Sequence, residues 1–139
     1  MNDSLETVSP PYVLYSPAQV ALGSFIGGPM SACWLMGENY KVLGNTQAMR
    51  STTVWGVVAT SVALGMALFM AETLPPGVLP IGYTCGLYFT AKQLQETTVQ
   101  NHLAAGGALG SWWRVVAVGV VGMAVILGIA MALALLAPA

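Results

Sequence analysis

The sequence predicts an all-α membrane protein with four transmembrane helices in two antiparallel hairpins, and three observations carry that expectation. Of the 139 residues, 56% are hydrophobic and only 6% are charged, with a mean hydropathy of +0.73, whereas roughly a quarter of a soluble domain is charged. Uncharged apolar stretches recur at lengths close to the ~20 residues that cross a hydrocarbon layer ~30 Å thick. All four basic residues, Lys41, Arg50, Lys92 and Arg114, fall in two polar stretches between those segments.

Residues 1–15 form a polar N-terminal segment and residues 16–139 a four-helix transmembrane domain. Ser16 before Pro17 reads as an N-cap and first helical residue, since a hydroxyl accepts from an orphan N–H and proline lacks a donor that would be unpaired there. The first span runs from Pro17 to Gly37, the second from Thr53 to Ala71 and the fourth from Val115 to Leu136. The third, Val78 to Ala91, is shorter, and a core or re-entrant segment is the competing reading. Four spans nevertheless bring the two basic stretches to one side, where three would separate them. The run Leu74-Pro75-Pro76-Gly77-Val78-Leu79-Pro80 cannot continue a helix and makes a turn, with Leu79-Pro80 opening the third helix. Leu94, Val99 and Leu103 fit one helical face, so the third helix continues beyond the membrane until Gly106-Gly107-Ala108-Leu109-Gly110 breaks it.

Lys and Arg are retained in the cytoplasm. The expected location is therefore the bacterial inner membrane, multi-pass, with both basic loops inside and both termini periplasmic alongside Asp3, Glu6 and Glu72. No early apolar run with a cleavage site precedes the first span, so a removable signal peptide is not expected. Trp34, Trp55, Trp112, Trp113 and Arg114 fall toward the inner ends of the spans as interfacial anchors, with Tyr12, Tyr15 and Tyr83 toward the outer ends.

Helices in lipid associate through close backbone approach at small residues. The expected seams are Gly23 with Gly27 in span one, Ala59, Ala63, Ala67 and Ala71 in span two, and Ala124, Gly128 and Ala132 in span four. Displacing the sequence by 63 positions pairs Pro17 with Pro80, Gly23 with Gly86, Gly44 with Gly107, Pro75 with Pro138 and Gly56-Val57-Val58 with Gly119-Val120-Val121. That weak tandem repeat is suggestive of two like hairpins, although apolar composition produces such matches easily. Gly27-Gly28-Pro29 lies halfway along span one, where a proline kinks a helix and frees backbone groups. It is either a packing kink or a broken helix lining a site.

Chemistry-bearing groups are few. Cys33 and Cys85 lie at different depths along their spans, too far apart for a disulfide, and are expected as free, buried thiols. His102 is the single histidine and has no acidic or cysteine companion at ligand spacing, so it reads as a solvated or capping group in a loop. No ionisable residue falls in the middle of a span, which argues against a proton relay. A net charge of -1 with scattered basic residues argues against nucleic-acid binding. No catalytic group, cofactor motif or metal-ligand set stands out, so the chain is expected not to be an enzyme.

The segments Tyr15-Ser16-Pro17-Ala18-Gln19-Val20-Ala21-Leu22, Phe25-Ile26-Gly27-Gly28-Pro29, His102-Leu103-Ala104-Ala105-Gly106-Gly107 and Ser111-Trp112-Trp113-Arg114 resemble a family of small uncharacterised multi-pass inner-membrane proteins of Gram-negative bacteria. The resemblance implies an inner-membrane location and transfers no functional residue. The expected partners are the lipid bilayer and a protein partner or a second copy. The expected role is that of a small interaction protein, as an accessory subunit or an immunity-type protein against a membrane-targeting toxin. The alternative is a homodimeric channel or facilitator for ions or small solutes, motivated by the repeat and the glycine-proline break.

Overall fold

A computed structural model describes residues 8–136. Asp3, Glu6 and Pro138, which entered the charge and repeat arguments, lie outside the described residues. The order is β1 (Val13–Leu14), α1 (Pro17–Val42), α2 (Thr46–Phe69), α3 (Val78–Ala104), β2 (Ala108–Leu109) and α4 (Trp112–Leu136). The protein is all-helical apart from the two short strands, and α1, α2 and α4 are long and apolar enough to cross a membrane by length and composition.

The helix α1 does not run through. Gly28 interrupts it with φ 77 and ψ -176, a conformation reserved essentially for glycine. A straight helix would hold residues 15 and 39 about 36 Å apart, yet the Tyr15 N–H donates to Asn39 Oδ1 at 2.7 Å and Asn39 Nδ2 donates to the Tyr15 carbonyl at 2.9 Å. A Cβ at Gly23 would lie 2.6 Å from Leu35 Cδ1. The two arms, 17–27 and 29–42, are therefore antiparallel and packed side by side, with Gly27-Gly28-Pro29 as the turn. At ~1.5 Å per residue the shorter arm is about 16 Å long, half the thickness of a hydrocarbon layer.

This reversal corrects the expectation that residues 17–37 form a spanning helix and that the glycine-proline break is a kink within it. The shared location of the termini falls with it. The start of α1, the α1–α2 loop and the α3–α4 loop all gather at one end, together with Lys41, Arg50 and Arg114; we call this the basic end. Helix α4 finishes toward the opposite, far end of the molecule, the end at which the 70–77 turn and Glu72 lie. Tyr12 and Tyr15 accordingly sit at the basic end and not opposite it. The 63-residue register also loses its structural meaning, because it pairs a folded-back α1 with an uninterrupted α3.

The hairpin is the core. Val20, Ala32, Leu35 and Met36 from its two arms are buried with Tyr15, Ala91 and Val115. Helices α2, α3 and α4 each pack on α1, whereas α2 barely touches α3 and the substantial helix contacts of α4 are all with α1. Glycines set the closest approaches. A Cβ at Gly56 of α2 would lie 2.7 Å from Cys33 Cβ, one at Gly119 of α4 would lie 2.8 Å from Ile26 Cβ, and one at Gly27 would run into Ser31 and the Gly119 backbone. The seam of α4 thus runs through Val115, Gly119 and Gly122. Ala124 and Ala132 are exposed, and nothing lies within 4 Å of a Cβ at Gly128, so the stripe expected there makes no seam within the chain.

The turn and the outer glycines should respond oppositely to a methyl group. Gly28→Ala must hold an L-residue in a glycine-only conformation with Ile126 Cδ1 2.8 Å from the new Cβ, and is expected to lose about 1–3 kcal/mol in detergent unfolding measurements. Gly65→Ala, where nothing lies within 4 Å, should leave stability unchanged or raise it by up to ~1 kcal/mol through helix propensity.

Candidate functional site

Polar side chains close the basic end. The N-cap Ser16 accepts from the Gln19 N–H at 3.3 Å while Gln19 Oε1 accepts from the Ser16 N–H at 2.9 Å, a reciprocal capping box. The amide of Gln19 has a second task, donating to the Gly110 carbonyl at 2.6 Å. Asn39 pairs with both backbone groups of Tyr15 and donates to Gln95 Oε1 at 2.8 Å, and Gln95 Nε2 donates to the Met36 carbonyl at 3.1 Å. Gln19, Asn39 and Gln95 are all buried. The network ties the chain's start, the returning arm, α3 and the α3–α4 loop into one clamp.

The strands continue the clamp. Val13 and Leu14 pair in parallel with Ala108 and Leu109, and the Gly110 N–H donates to the Leu14 carbonyl at 2.9 Å. His102 stacks on Tyr12 with ring centroids 4.9 Å apart, and its Nε2 donates to the Ala108 carbonyl at 3.0 Å. His102 is thus buried at the α3 terminus and bonded to a loop carbonyl, which overturns the solvated reading and agrees with the capping one. The Tyr15 phenol is pushed above 10.0, chiefly by burial, with the Arg114 guanidinium pulling it down and Glu38 pushing it up.

Clefts lie between the helices. The first, about 690 Å³, is floored by the returning arm (Met30, Ser31, Trp34) and walled by α2 and α4, with Arg114 among its lining residues. The second, about 550 Å³, lies between Ala59, Ala63 and Met66 of α2 and Gly82 and Gly86 of α3. A Cβ at Gly82 or Gly86 would meet nothing within 4 Å. The third, about 190 Å³, sits beyond the turn, against Gly28, Pro29, Thr60 and Tyr83.

Residues singled out in the sequence distribute unevenly over this geometry. Gly27, Gly28 and Pro29 are buried at the turn, and Gly23 packs between the arms. Ala59 and Ala63 line the α2–α3 cleft, while Ala67 borders the small cavity beyond the turn. Trp34, Trp55, Trp112 and Trp113 all expose their rings toward the basic half. Cys33 is buried and free; Cys85 is free but exposed, not buried as expected. Glu38 and Lys41 form an ion pair at 3.4 Å. Among the described residues no group of three or more His, Cys, Asp or Glu is placed to hold a metal ion. Sequence reasoning passed over Gln19, Asn39 and Gln95; an amide beside an apolar stretch was the available signal, because such a group needs partners once buried. Comparisons with family models, curated proteins and solved structures gave no match.

The clamp predicts coupled energetics. Asn39→Ala leaves the Tyr15 N–H, its carbonyl and Gln95 Oε1 without partners, and should cost about 3 kcal/mol in reversible unfolding. Gln95→Ala should cost about 1 kcal/mol less in the Asn39→Ala background than in the parent chain, as a double-mutant cycle reads directly.

Proposed function

We propose that this chain is a small integral membrane interaction protein of the bacterial inner membrane, working without catalysis as an accessory subunit or an immunity-type protein. Helices α2, α3 and α4 cross the bilayer and α1 enters as a re-entrant hairpin. The basic end, carrying Lys41, Arg50 and Arg114 against Glu72 alone among the described charges at the far end, lies in the cytoplasm. The N-terminal segment is then cytoplasmic and α4 ends on the other side. Two features support this placement. From Val78 to the clamp residue Gln95, α3 covers about 26 Å, close to a hydrocarbon thickness. Irregular backbone at membrane depth is tolerated where protein covers it, and Gly27, Gly28 and Pro29 are all buried.

The observation that carries the interaction reading is the open α2–α3 cleft. Alanines at positions 59 and 63 face glycines at 82 and 86, a small-residue spacing on both walls, and both glycines look into empty space. Small residues at four-residue spacing are what lets another helix approach closely in lipid, where hydrophobicity gives no drive for association. Met66 and Met70 at the same cleft supply adaptable walls. A membrane helix of a partner protein is the occupant this surface suits.

A facilitator reading is weakened by the same architecture. The hairpin fills the centre with Val20, Leu35 and Met36, and the buried amides seal the basic end, so the cavity beyond the turn has no continuation. Liposomes containing the protein should show ion and small-solute flux equal to that of empty vesicles.

Two measurements decide the proposal. Single cysteines at Ser9 and at the exposed Ala105, in a chain whose native cysteines are replaced, should react with an impermeant reagent only from the cytoplasmic side, and one at Thr73 only from the opposite side; reaction of Ser9 and Ala105 from opposing sides would sink the topology. A photocrosslinker at Gly82 in native membranes should give an adduct with a different membrane protein, and Gly86→Ile should abolish it without loss of stability. An adduct of twice the chain's mass, accompanied by flux, would replace the interaction reading with the homodimeric facilitator.

A further inference from the structure

We propose that the groove between α2 and α4 is a binding site for one anionic glycerophospholipid of the cytoplasmic leaflet, its phosphate at Arg114 and one acyl chain along the groove. The proposal rests on the membrane placement above but concerns a different surface from the α2–α3 cleft.

The wall contributed by α4 is a single helical stripe. Arg114, Val118, Val121, Val125 and Ile129 follow at three- and four-residue steps, a run about 22 Å long. It begins with a cation at headgroup depth and continues with branched aliphatic side chains to beyond mid-layer. Arg114 is exposed, and among the described residues the one ion pair is Lys41 with Glu38, so no described carboxylate is within ion-pair distance of the guanidinium. Trp34, at the same groove, is partly exposed. A volume of about 690 Å³ is in the range of small-molecule sites.

The chemistry of the lining selects the occupant. Two of the three hydroxyls at the groove are engaged internally, Ser31 donating to the Gly27 carbonyl at 3.0 Å and Ser61 to the Val57 carbonyl at 2.9 Å, while the buried Thr60 hydroxyl has no partner. Beyond Thr60 and Arg114 the walls offer a ligand little to pair with, whereas methylenes need no partner. The branched residues that line the groove also hold another helix's backbone away, unlike the glycines and alanines of the α2–α3 cleft. A guanidinium is matched to phosphate through charge-assisted, bidentate hydrogen bonds. Cation at one end and hydrocarbon along the rest is the complement of a single anionic lipid.

An Arg near a helix end also snorkels toward headgroups without any specific site, so the test separates selective from general contact. The purified chain in mild detergent is titrated with phosphatidylglycerol and, separately, with phosphatidylcholine of the same acyl chains, and bound lipid is counted by native mass spectrometry. One phosphatidylglycerol per chain should be retained roughly tenfold more tightly than phosphatidylcholine. Arg114→Gln should lower phosphatidylglycerol to the phosphatidylcholine level. Val121→Trp, at an exposed lining position, should fill the groove and remove binding of both. Equal retention of the two lipids by the parent chain, or unchanged selectivity in Arg114→Gln, would overturn the site. So would a photocrosslink from Val121 to a second copy or to another protein. Retained labelling at Ser9, Ala105 and Thr73 shows that each variant keeps its fold and topology. If that labelling holds while lipid selectivity is absent, this inference alone fails; if the labelling itself contradicts the topology, the failure lies in the membrane placement beneath it.

Discussion

A chain that reverses within its own core must pair, cover or strain every backbone group at the turn, and the rest of this structure is arranged around that requirement at Gly28. The residue takes a conformation that only glycine occupies without cost. Pro29 follows as the first residue of the returning arm, where its missing N–H removes a donor that would otherwise have no partner. Ser31 reaches back to the Gly27 carbonyl, one of the acceptors that the end of the first arm leaves open. Gly119 and Gly122 then bring α4 against the turn closely enough to cover it. Turn, cap and cover are supplied by residues within a few positions of the break and by one facing helix.

The two open ends of the hairpin pose the complementary problem. Placing the chain's entry beside its exit creates exposed backbone at Tyr15 and at the end of the returning arm. Asn39 answers it with a side chain that carries both a donor and an acceptor, and so pairs with the N–H and the carbonyl of one residue together. Gln95 and Gln19 extend the pairing to α3 and to the α3–α4 loop. Because the amides are uncharged, they accept burial at far smaller desolvation cost than an ion pair in the same place. The short parallel strands belong to the same solution, since they use backbone groups that the start of the chain and the loop before α4 would otherwise leave unpaired.

Much of the secondary structure was legible in sequence, and the topology was not. The Ser16-Pro17 start, the proline-rich turn after α2, the extension of α3 past Lys92 and the glycine break at 106–110 all rest on local chemistry, and the structure places them as read. The location of α1 failed because length and hydropathy do not register direction: two half-depth arms have the same apolar count as one full-depth span. A proline after two glycines is compatible with a kink and with a reversal, and only contacts between residues 15 and 39 tell them apart. The packing stripes failed for a related reason. Small residues mark where close approach is permitted, and in α4 it is Gly119 and Gly122, level with the hairpin turn, that meet a partner, while Gly128 extends beyond it.

The central hairpin also explains why the clefts exist. A half-depth wedge holds three full-length helices apart, and beyond its tip nothing of the same chain is long enough to fill the space between them. In water such gaps would collapse under the hydrophobic effect; in the bilayer proposed for this chain the surrounding lipid is as apolar as the helices, so no comparable force closes them. Each gap is then shaped by the residues on its walls. Where those are glycine and alanine the backbone is accessible, and where they are valine and isoleucine beneath an arginine the space suits the hydrocarbon with an anionic end proposed for it. The difference between the two surfaces is thus set by side-chain size along α2, α3 and α4, and the separation that exposes both is set by the reversal at Gly28.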